Sequence, residues 1–504
     1  MTVSQMPNWL LRRAATSPDS PALVHDAGAL TFAQLSTEVD RLALGLLTAG
    51  CHGGMRIGIL TSDTRNFTIT LHALTRIGAV AVPLAPTLTP AEMSARIAVA
   101  SVSGVVVDDE LSSLAGHCLL QPTTMTRLGM SLVLTLLPQD WPSAATSDGL
   151  FDHIQLDGLH SIVFTSGTTA AGKGVELTHG NHYWNATGSL LNLGGRESDR
   201  WLLCLPPHHV GGMSILLRSL VYGVSVVAQD RFDPERVNHE IDKGEITMVS
   251  VVSTMLKRML DLRGSRRYSD ALRCVLLGGG PIPRPLVDVS LDLGVPIAPT
   301  YGLTEAASQV STLRPSIVRD HRDSAGQPLF QVDLVIESDT RTAKPGQPGE
   351  ILVRGPSISS SYCDGRTDAW RGGWFHTGDV GVMDEEGYLQ VLDRRGDLIV
   401  SGGENVYPSE VESVLSNHGL VREAAVFGAA DGEWGHMVVA ALVPTDGAKL
   451  AAEEVRRFAR QTLAAYKVPK RMVIVEELPK TGSGKILRAE LRRRWEAHGL
   501  EELA

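Results

Sequence analysis

Cysteine is sparse in this chain. There are five in 504 residues, Cys51, Cys118, Cys204, Cys274 and Cys363, far apart, with no C-x-x-C pair and no histidine pattern nearby. That excludes a thiolate zinc site of the usual spacing, and the thiols are expected to sit in the core of a protein kept in a reducing compartment. An excess of basic charge is lacking too: 46 Lys and Arg face 56 Asp and Glu, for a formal net charge of −10, with both signs interspersed. No basic stripe is available to neutralise a nucleic-acid backbone, so any nucleotide is expected to be a small cofactor. No uninterrupted apolar stretch is long enough to span a bilayer. Met1-Thr2-Val3-Ser4-Gln5 has no basic segment leading into an apolar one. The expectation is a soluble, cytoplasmic protein.

What is present is a composition 43% hydrophobic, enough to bury a large core divided among more than one domain. From Ala22 to about Ile282, short β-branched runs alternate with amphipathic segments. The runs are Arg56 to Leu60, Val102 to Val107, Trp201 to Leu205, Val224 to Ala228, Thr247 to Val251 and Arg273 to Leu277. Such alternation predicts α/β architecture with largely parallel sheets. From Phe330 to Val353 the strands come closer, with Pro-Gly and Gly-Gln punctuation, which predicts an antiparallel β subdomain. Beyond Arg394-Arg395-Gly396-Asp397 a compact α+β tail of about a hundred residues is expected. Its helices are placed at Ser409 to Ser416 and Ala451 to Ala464, its strands at Ala424 to Phe427 and Val438 to Val443. Leu119 to Leu150 carries no functional reading.

One loop stands out: Thr165-Ser166-Gly167-Thr168-Thr169-Ala170-Ala171-Gly172-Lys173-Gly174, after the apolar run Ser161-Ile162-Val163-Phe164. Hydroxyls, glycines and one ammonium there predict a phosphate loop, with a buried strand before it and a helix after it capped by Thr178. The G-x-x-x-x-G-K-[ST] pattern fails at its last position, where Gly174 replaces the hydroxyl that would hold Mg²⁺, so a P-loop NTPase is disfavoured.

Four further clusters accompany it. Gly278-Gly279-Gly280 ends a predicted strand and lets bare backbone lie against a planar base, or is simply a tight turn. Thr300-Tyr301-Gly302-Leu303-Thr304-Glu305 gathers a ring, two hydroxyls and a carboxylate, suited to covering a base and holding Mg²⁺. Gly373 to Asp379 ends in an acid suited to the two hydroxyls of a ribose, with Arg394 one strand pair later, although an acid after glycine is commonly a turn. Pro479 to Lys485 is a loop bearing one lysine, which by itself reads as a solvated tail.

In this order and at this spacing the clusters resemble the adenylate-forming superfamily of acyl-CoA synthetases, peptide-synthetase adenylation domains and firefly-type luciferases, over nearly the whole chain. Leu30-Thr31-Phe32-Ala33-Gln34-Leu35, Asp393-Arg394-Arg395 and Ser401-Gly402-Gly403-Glu404-Asn405-Val406-Tyr407-Pro408 add to the resemblance. The family loop usually has Gly and Pro where this chain has Ala170 and Gly172; Lys173 is retained. The resemblance implies an N-terminal domain of residues 1–395 and a mobile C-terminal domain of residues 396–504 that turns about Gly396. It implies ATP, Mg²⁺ and CoA as partners of a small carboxylic acid, and permits monomers and dimers alike.

The implied catalytic groups are Lys485, His209 and Glu305, with Glu305 as metal carboxylate. The implied nucleotide groups are Thr165, Ser166, Gly167, Thr168, Thr169, Lys173, Gly278, Gly279, Gly280, Thr300, Tyr301, Gly302, Thr304, Asp379 and Arg394, with Gly402 and Gly403 beside the CoA channel. Leu205-Pro206-Pro207-His208-His209-Val210-Gly211-Gly212-Met213-Ser214, Leu217 to Gly223 and Ala307-Ser308-Gln309-Val310 resemble the branch that activates an aromatic keto-diacid on the route to a lipid quinone. For its second, unactivated carboxylate the candidates are Arg218, Ser308 and His209. Aryl- or fatty-acyl-CoA synthetases are the close alternative, and a carrier-protein-loading adenylation enzyme the more distant one.

Overall fold

The computed structural model describes residues 5–111, 124–129, 132–136, 149–165, 172–338, 341–394, 397–401, 404–431, 435–463, 465–480, 486–497 and 499–503. Two large sheets carry the first half of the chain. In the seven-stranded one, Leu159–Thr165, Val80–Pro83, Arg56–Leu60 and Gly104–Asp108 run parallel, flanked by antiparallel Lys173–Thr178 on one side and Leu132–Leu136 with Thr124–Gly129 on the other. The nine-stranded sheet has a parallel centre of Pro21–His25, Ser225–Ala228, Arg200–Leu203, Met248–Val251, Cys274–Leu277 and Ile297–Leu303.

Both sheets are covered on both faces. The helices Phe32–Thr48, Thr64–Arg76 and Val210–Tyr222 contribute Phe32, Phe67, Leu71 and Met213 to a core shared with Ile57, Val163, Trp201 and Val226 of the two sheets. Separate cores around Val249, Leu277 and Ile297, and around Val82, Val105 and Ile162, close the outer faces. Burial on both sides is why these parallel strands read as short, unbroken apolar runs.

Downstream, Asp333–Ser338, Gly349–Arg354, Trp374–Met383 and Leu389–Arg394 form an antiparallel sheet, as the closer strand spacing predicts. The last sheet pairs Val421–Asp431 with Gly435–Pro444 and takes Arg471–Ile474 in parallel, with Pro408–Leu415, Ala452–Ala459 and Arg488–Glu496 as its helices. Arg488, buried, donates from Nη2 to Glu412 Oε2 at 2.7 Å, and Glu412 Oε1 in turn accepts from Val426 N at 2.7 Å, tying a terminal helix to the sheet. Cys51, Cys204 and Cys274 are buried thiols, Cys363 is half-buried, and Cys118 lies outside the described residues.

One element departs from expectation. Thr178 does cap the helix His179–Leu193, through a capping box with Asn181, but the helix does not follow the glycine-rich loop directly. Lys173–Thr178 is a strand paired antiparallel with Leu159–Thr165, so these two strands make a β-hairpin and the helix starts at the far end of the second one. The β-branched and apolar residues of Gly174-Val175-Glu176-Leu177-Thr178 favour pairing over helix.

Behind the hairpin lies a set of buried histidines: His72, His160, His179 and His182. The His160 ring is 4.9 Å from that of His179 and 4.7 Å from that of His182, and His182 Nε2 is 3.0 Å from Ser161 Oγ. Burial pushes His72 and His179 down to about 4 and His182 to about 3, and drives His160 well below the ordinary value. These rings fold neutral, whereas in the unfolded chain they bind protons below about 6.5. Their contribution is therefore complete above that pH and lost as the pH falls toward the depressed values, at about 1.4 kcal/mol per pH unit for each ring. Urea unfolding should thus show stability falling steeply between pH 6 and 5, and His72→Leu should reduce that slope by about one proton. An unchanged slope would mean that His72 is protonated in the fold.

Candidate nucleotide and acid site

The helix His179–Leu193 organises the site through a polar face. Its buried residues include Asn181, His182, Asn185 and Ser189, while Trp184 and Leu191 are exposed. Asn181 and Asn185 stand four residues apart and Asn192 seven further on, so all three share one side of the helix. Each donates to main-chain carbonyls outside the helix. Asn181 Nδ2 reaches Pro356 O at 3.0 Å and Ile358 O at 3.1 Å, and Asn192 Nδ2 reaches Thr312 O at 3.0 Å. Asn185 Nδ2 reaches Ala306 O at 2.9 Å and Gln309 O at 2.8 Å.

The turn between those last two residues is strained. Ala307 has φ 56° and Ser308 φ 134°, both on the positive side that side chains disfavour. A β-carbon on Gly302, in the strand facing the turn, would meet Ser308 O at 2.1 Å, so only glycine lets the turn fold back this closely. Glu305 and Thr304 lie in the 3₁₀ turn Thr304–Ala306 just before it.

Glu305 meets the phosphate hairpin through a tyrosine that sequence reasoning did not single out. Tyr362 OH donates to Glu305 Oε1 at 2.9 Å, and Lys173 Nζ lies 5.1 Å from the centre of the Tyr362 ring. The segment around it clasps the hairpin strand: Cys363 N donates to Gly174 O at 2.8 Å, Glu176 N to Ser361 O at 3.2 Å, and Ser359 Oγ to Glu176 O at 2.8 Å. Thr165 pairs with Lys173 at the mouth of the hairpin. Burial, then the neighbouring Glu305, pushes the Tyr362 phenol upward, so it stays a donor.

Tyr301 is buried, and its OH donates to Asp379 Oδ2 at 2.7 Å. Asp379 N donates to Thr377 Oγ1 at 3.0 Å, and the Asp379 and Arg394 backbones are register partners across one strand pair. Gly278 packs so tightly on the next strand that a β-carbon would sit 2.5 Å from Thr300 Cγ2, while Gly279, at φ 80°, and Gly280 leave exposed main chain at the strand end. Thr300 Oγ1 bonds Thr312 Oγ1 and Ser311 O, each at 2.8 Å.

On the acid side, Arg218 is only 1% exposed, so it is no surface arginine. Its Nη2 donates to Asn185 Oδ1 at 3.0 Å and its guanidinium lies 5.4 Å from the Trp201 ring centre. His209 is the N-cap of Val210–Tyr222. Burial, and then the charge of Arg96, lowers His209 to about 4, leaving it neutral near pH 7. Arg96, 5.2 Å over the Phe164 ring next to the mouth of the hairpin, is a second cation missed in the sequence. It sits on a helix far from every glycine-rich motif, and only the fold brings it there. Ser166, Gly167, Thr168, Thr169, Gly402, Gly403 and Lys485, with Gly396, lie outside the described residues, as does the side chain of Arg394.

The structure therefore brings Lys173 and Glu305 together through Tyr362, Tyr301 onto Asp379, and Arg218 through Asn185 onto the strained turn. Asn185→Ala should remove three buried hydrogen bonds and lower the unfolding free energy by about 3 kcal/mol, measured in urea. A loss under about 1 kcal/mol would show that the turn is held by something else.

Comparison with known proteins bears on the family. Residues 10–363 match the AMP-binding enzyme family and residues 410–485 the AMP-binding enzyme C-terminal domain. The 2-succinylbenzoate–CoA ligase of a Geobacillus species is 40% identical over 97% of this chain and 98% of its own. The o-succinylbenzoate CoA synthetase of Bacillus subtilis, solved with the acyl-adenylate intermediate, superposes with a TM-score of 0.86 at 36% identity over 97% of this chain and 98% of that one. The same synthetase with ATP and magnesium ion gives 0.86 at 37%, over 97% and 99%. With both matches in the expected order, and a relative this similar along almost its full length, the chain belongs to the AMP-binding enzyme family, the adenylate-forming enzymes.

Proposed function

We propose that this chain is an AMP-forming acid–CoA ligase that activates 2-succinylbenzoate as an acyl-adenylate and passes the acyl group to CoA, a step of menaquinone biosynthesis. Among the described residues no helix is long and apolar enough to cross a membrane, and action in the cytoplasm is part of the proposal. In the first half-reaction the acid's carboxylate attacks the α-phosphate of ATP and pyrophosphate leaves. In the second, the CoA thiol attacks the acyl carbon and AMP leaves.

The residues suit the first step. Charge builds on the phosphates, and the hairpin supplies Lys173, the hydroxyl of Thr165 and those of Ser166 and Thr168. Glu305 fits a magnesium ion carried in by ATP: it is one half-buried carboxylate linked through Tyr362 to an ammonium, the sparse protein donation that magnesium with phosphate ligands needs. When bound, the ion neutralises phosphate charge. Asp379, oriented by Tyr301, would accept the ribose hydroxyls with Arg394, and Gly278 to Gly280 would border the adenine.

The same reading assigns Lys485 to adenylation only. The domain of residues 396–504 turns about Gly396, Lys485 leaves, and Gly402 and Gly403 border the incoming CoA. Lys485→Ala should then abolish pyrophosphate release while sparing thioester formation from a supplied acyl-adenylate; equal loss of both would remove the domain-alternation assignment.

The observation that carries the choice of acid is Arg218. A guanidinium buried with an amide and an indole for company, and with no ion pair among the described residues, is costly unless an anion completes it. Its field, little screened in the interior, favours a substrate with a second carboxylate near the Ala307–Ser308 turn, where Ser308 and His209 can donate hydrogen bonds. CoA-thioester formation with 2-succinylbenzoate, benzoate and a medium-chain fatty acid tests this, and preference for the keto-diacid is expected. Arg218→Met should raise KM for the keto-diacid about tenfold or more and leave that of any monoacid turned over within about threefold. Equal changes for both would make Arg218 structural, and turnover of the monoacids alone would replace the reading by an aryl- or fatty-acyl-CoA synthetase.

A further inference from the structure

Tyr362 lies outside every motif that the nucleotide reading uses, yet it touches two of the groups that reading assigns to the phosphates. Its hydroxyl meets Glu305 Oε1 at 2.9 Å, and its ring faces Lys173 Nζ at 5.1 Å, within the range where an ammonium is attracted to an aromatic face. The ring has little freedom. It is 3% exposed, packs edge-on against Trp370 at 5.0 Å between centroids, and its backbone forms an isolated antiparallel bridge with Val175. Glu305 and Lys173 come from different layers: a 3₁₀ turn joining two strands of the nine-stranded sheet, and the outer hairpin of the seven-stranded one.

We propose that Tyr362 is a positioning residue that registers the phosphate hairpin to the Glu305 carboxylate. Its ring sets where the Lys173 ammonium stands, and its hydroxyl occupies one carboxylate oxygen so that Glu305 turns the other toward the nucleotide's metal. The hydroxyl narrows the orientations open to the carboxylate and the ring those open to the lysine, so one fixed side chain acts on both. The proposal rests on Glu305 being the metal-linked carboxylate.

The test is ATP binding by calorimetry, in EDTA and in Mg²⁺, on the full chain. Tyr362→Phe keeps the ring and loses the hydroxyl. ATP affinity in EDTA should stay within about twofold of the unaltered protein, whereas the gain on adding Mg²⁺ should shrink roughly tenfold, the scale of one hydrogen bond to a charged group. Tyr362→Leu should weaken binding in EDTA as well, because Lys173 loses its platform. Melting temperatures of both variants separate these effects from unfolding. If Tyr362→Phe binds Mg²⁺ and ATP as the unaltered protein does, the proposal falls, and it also falls if Phe and Leu behave alike in EDTA. Glu305→Gln, run alongside, separates the two levels. If it leaves the Mg²⁺ gain intact, the reading of Glu305 fails and takes the proposal with it; if it abolishes the gain while Tyr362→Phe does not shrink it, only the proposal fails.

Discussion

The arrangement depends on main-chain carbonyls that one helix holds from outside their own segments. These carbonyls lie in the turn Thr304–Ala306, the strand Ser308–Thr312 and the segment 356–358, and a buried carbonyl left alone is expensive. The helix His179–Leu193 solves this with three asparagine amides on one side, at positions 181, 185 and 192, which together satisfy five carbonyls. The strained backbone at Ala307 and Ser308 persists because that side is rigid. Arg218 is one bond from this helix, and Glu305 adjoins Ala306, whose carbonyl Asn185 holds.

Electrostatics follow from the same burial. Four histidines packed behind the hairpin are held neutral, so that Arg218, in contact with the helix through Asn185, meets no ring charge of its own sign near pH 7. His208 and His209, lowered to about 3 and about 4 mainly by burial, extend that neutrality to the start of the next helix. A cation surrounded by neutral rings and amides keeps its attraction for an anion instead of spending it on a fixed carboxylate. Asp199 shows the contrast: it is equally buried but satisfied by Arg273 and Thr247.

Much of the architecture was legible in the chain. The six β-branched runs are all strands, shifted by a residue or two, because strands buried on both faces leave a continuous apolar imprint. The antiparallel subdomain and the compact α+β tail were legible from punctuation and from the return of periodicity. The helix after Thr178 was legible at its cap but not in its role: its buried face is polar and its exposed face carries Trp184 and Leu191, the reverse of the pattern that periodicity reads. The hairpin strand Lys173–Thr178 was overlooked because a glycine-rich loop before a capped helix suggests direct connection.

The site divides in the same way. Thr165, Lys173, Glu305, Asp379 and the glycines at 278–280 announce themselves because anion and nucleotide binding demand those residue types within short segments, and short segments are what a sequence displays. Tyr362, Asn185 and Arg96 carry no such mark, since each acts on a partner 57 to more than a hundred residues away and is chemically ordinary in its own surroundings. By itself, then, the sequence determined the layered α/β fold, the family and the inventory of groups that handle phosphate. Only the tertiary structure decided which of those groups touch, through which intermediaries, and that among the described residues the buried Arg218 has no carboxylate partner, because contact between distant segments is set by packing and no local spacing encodes it.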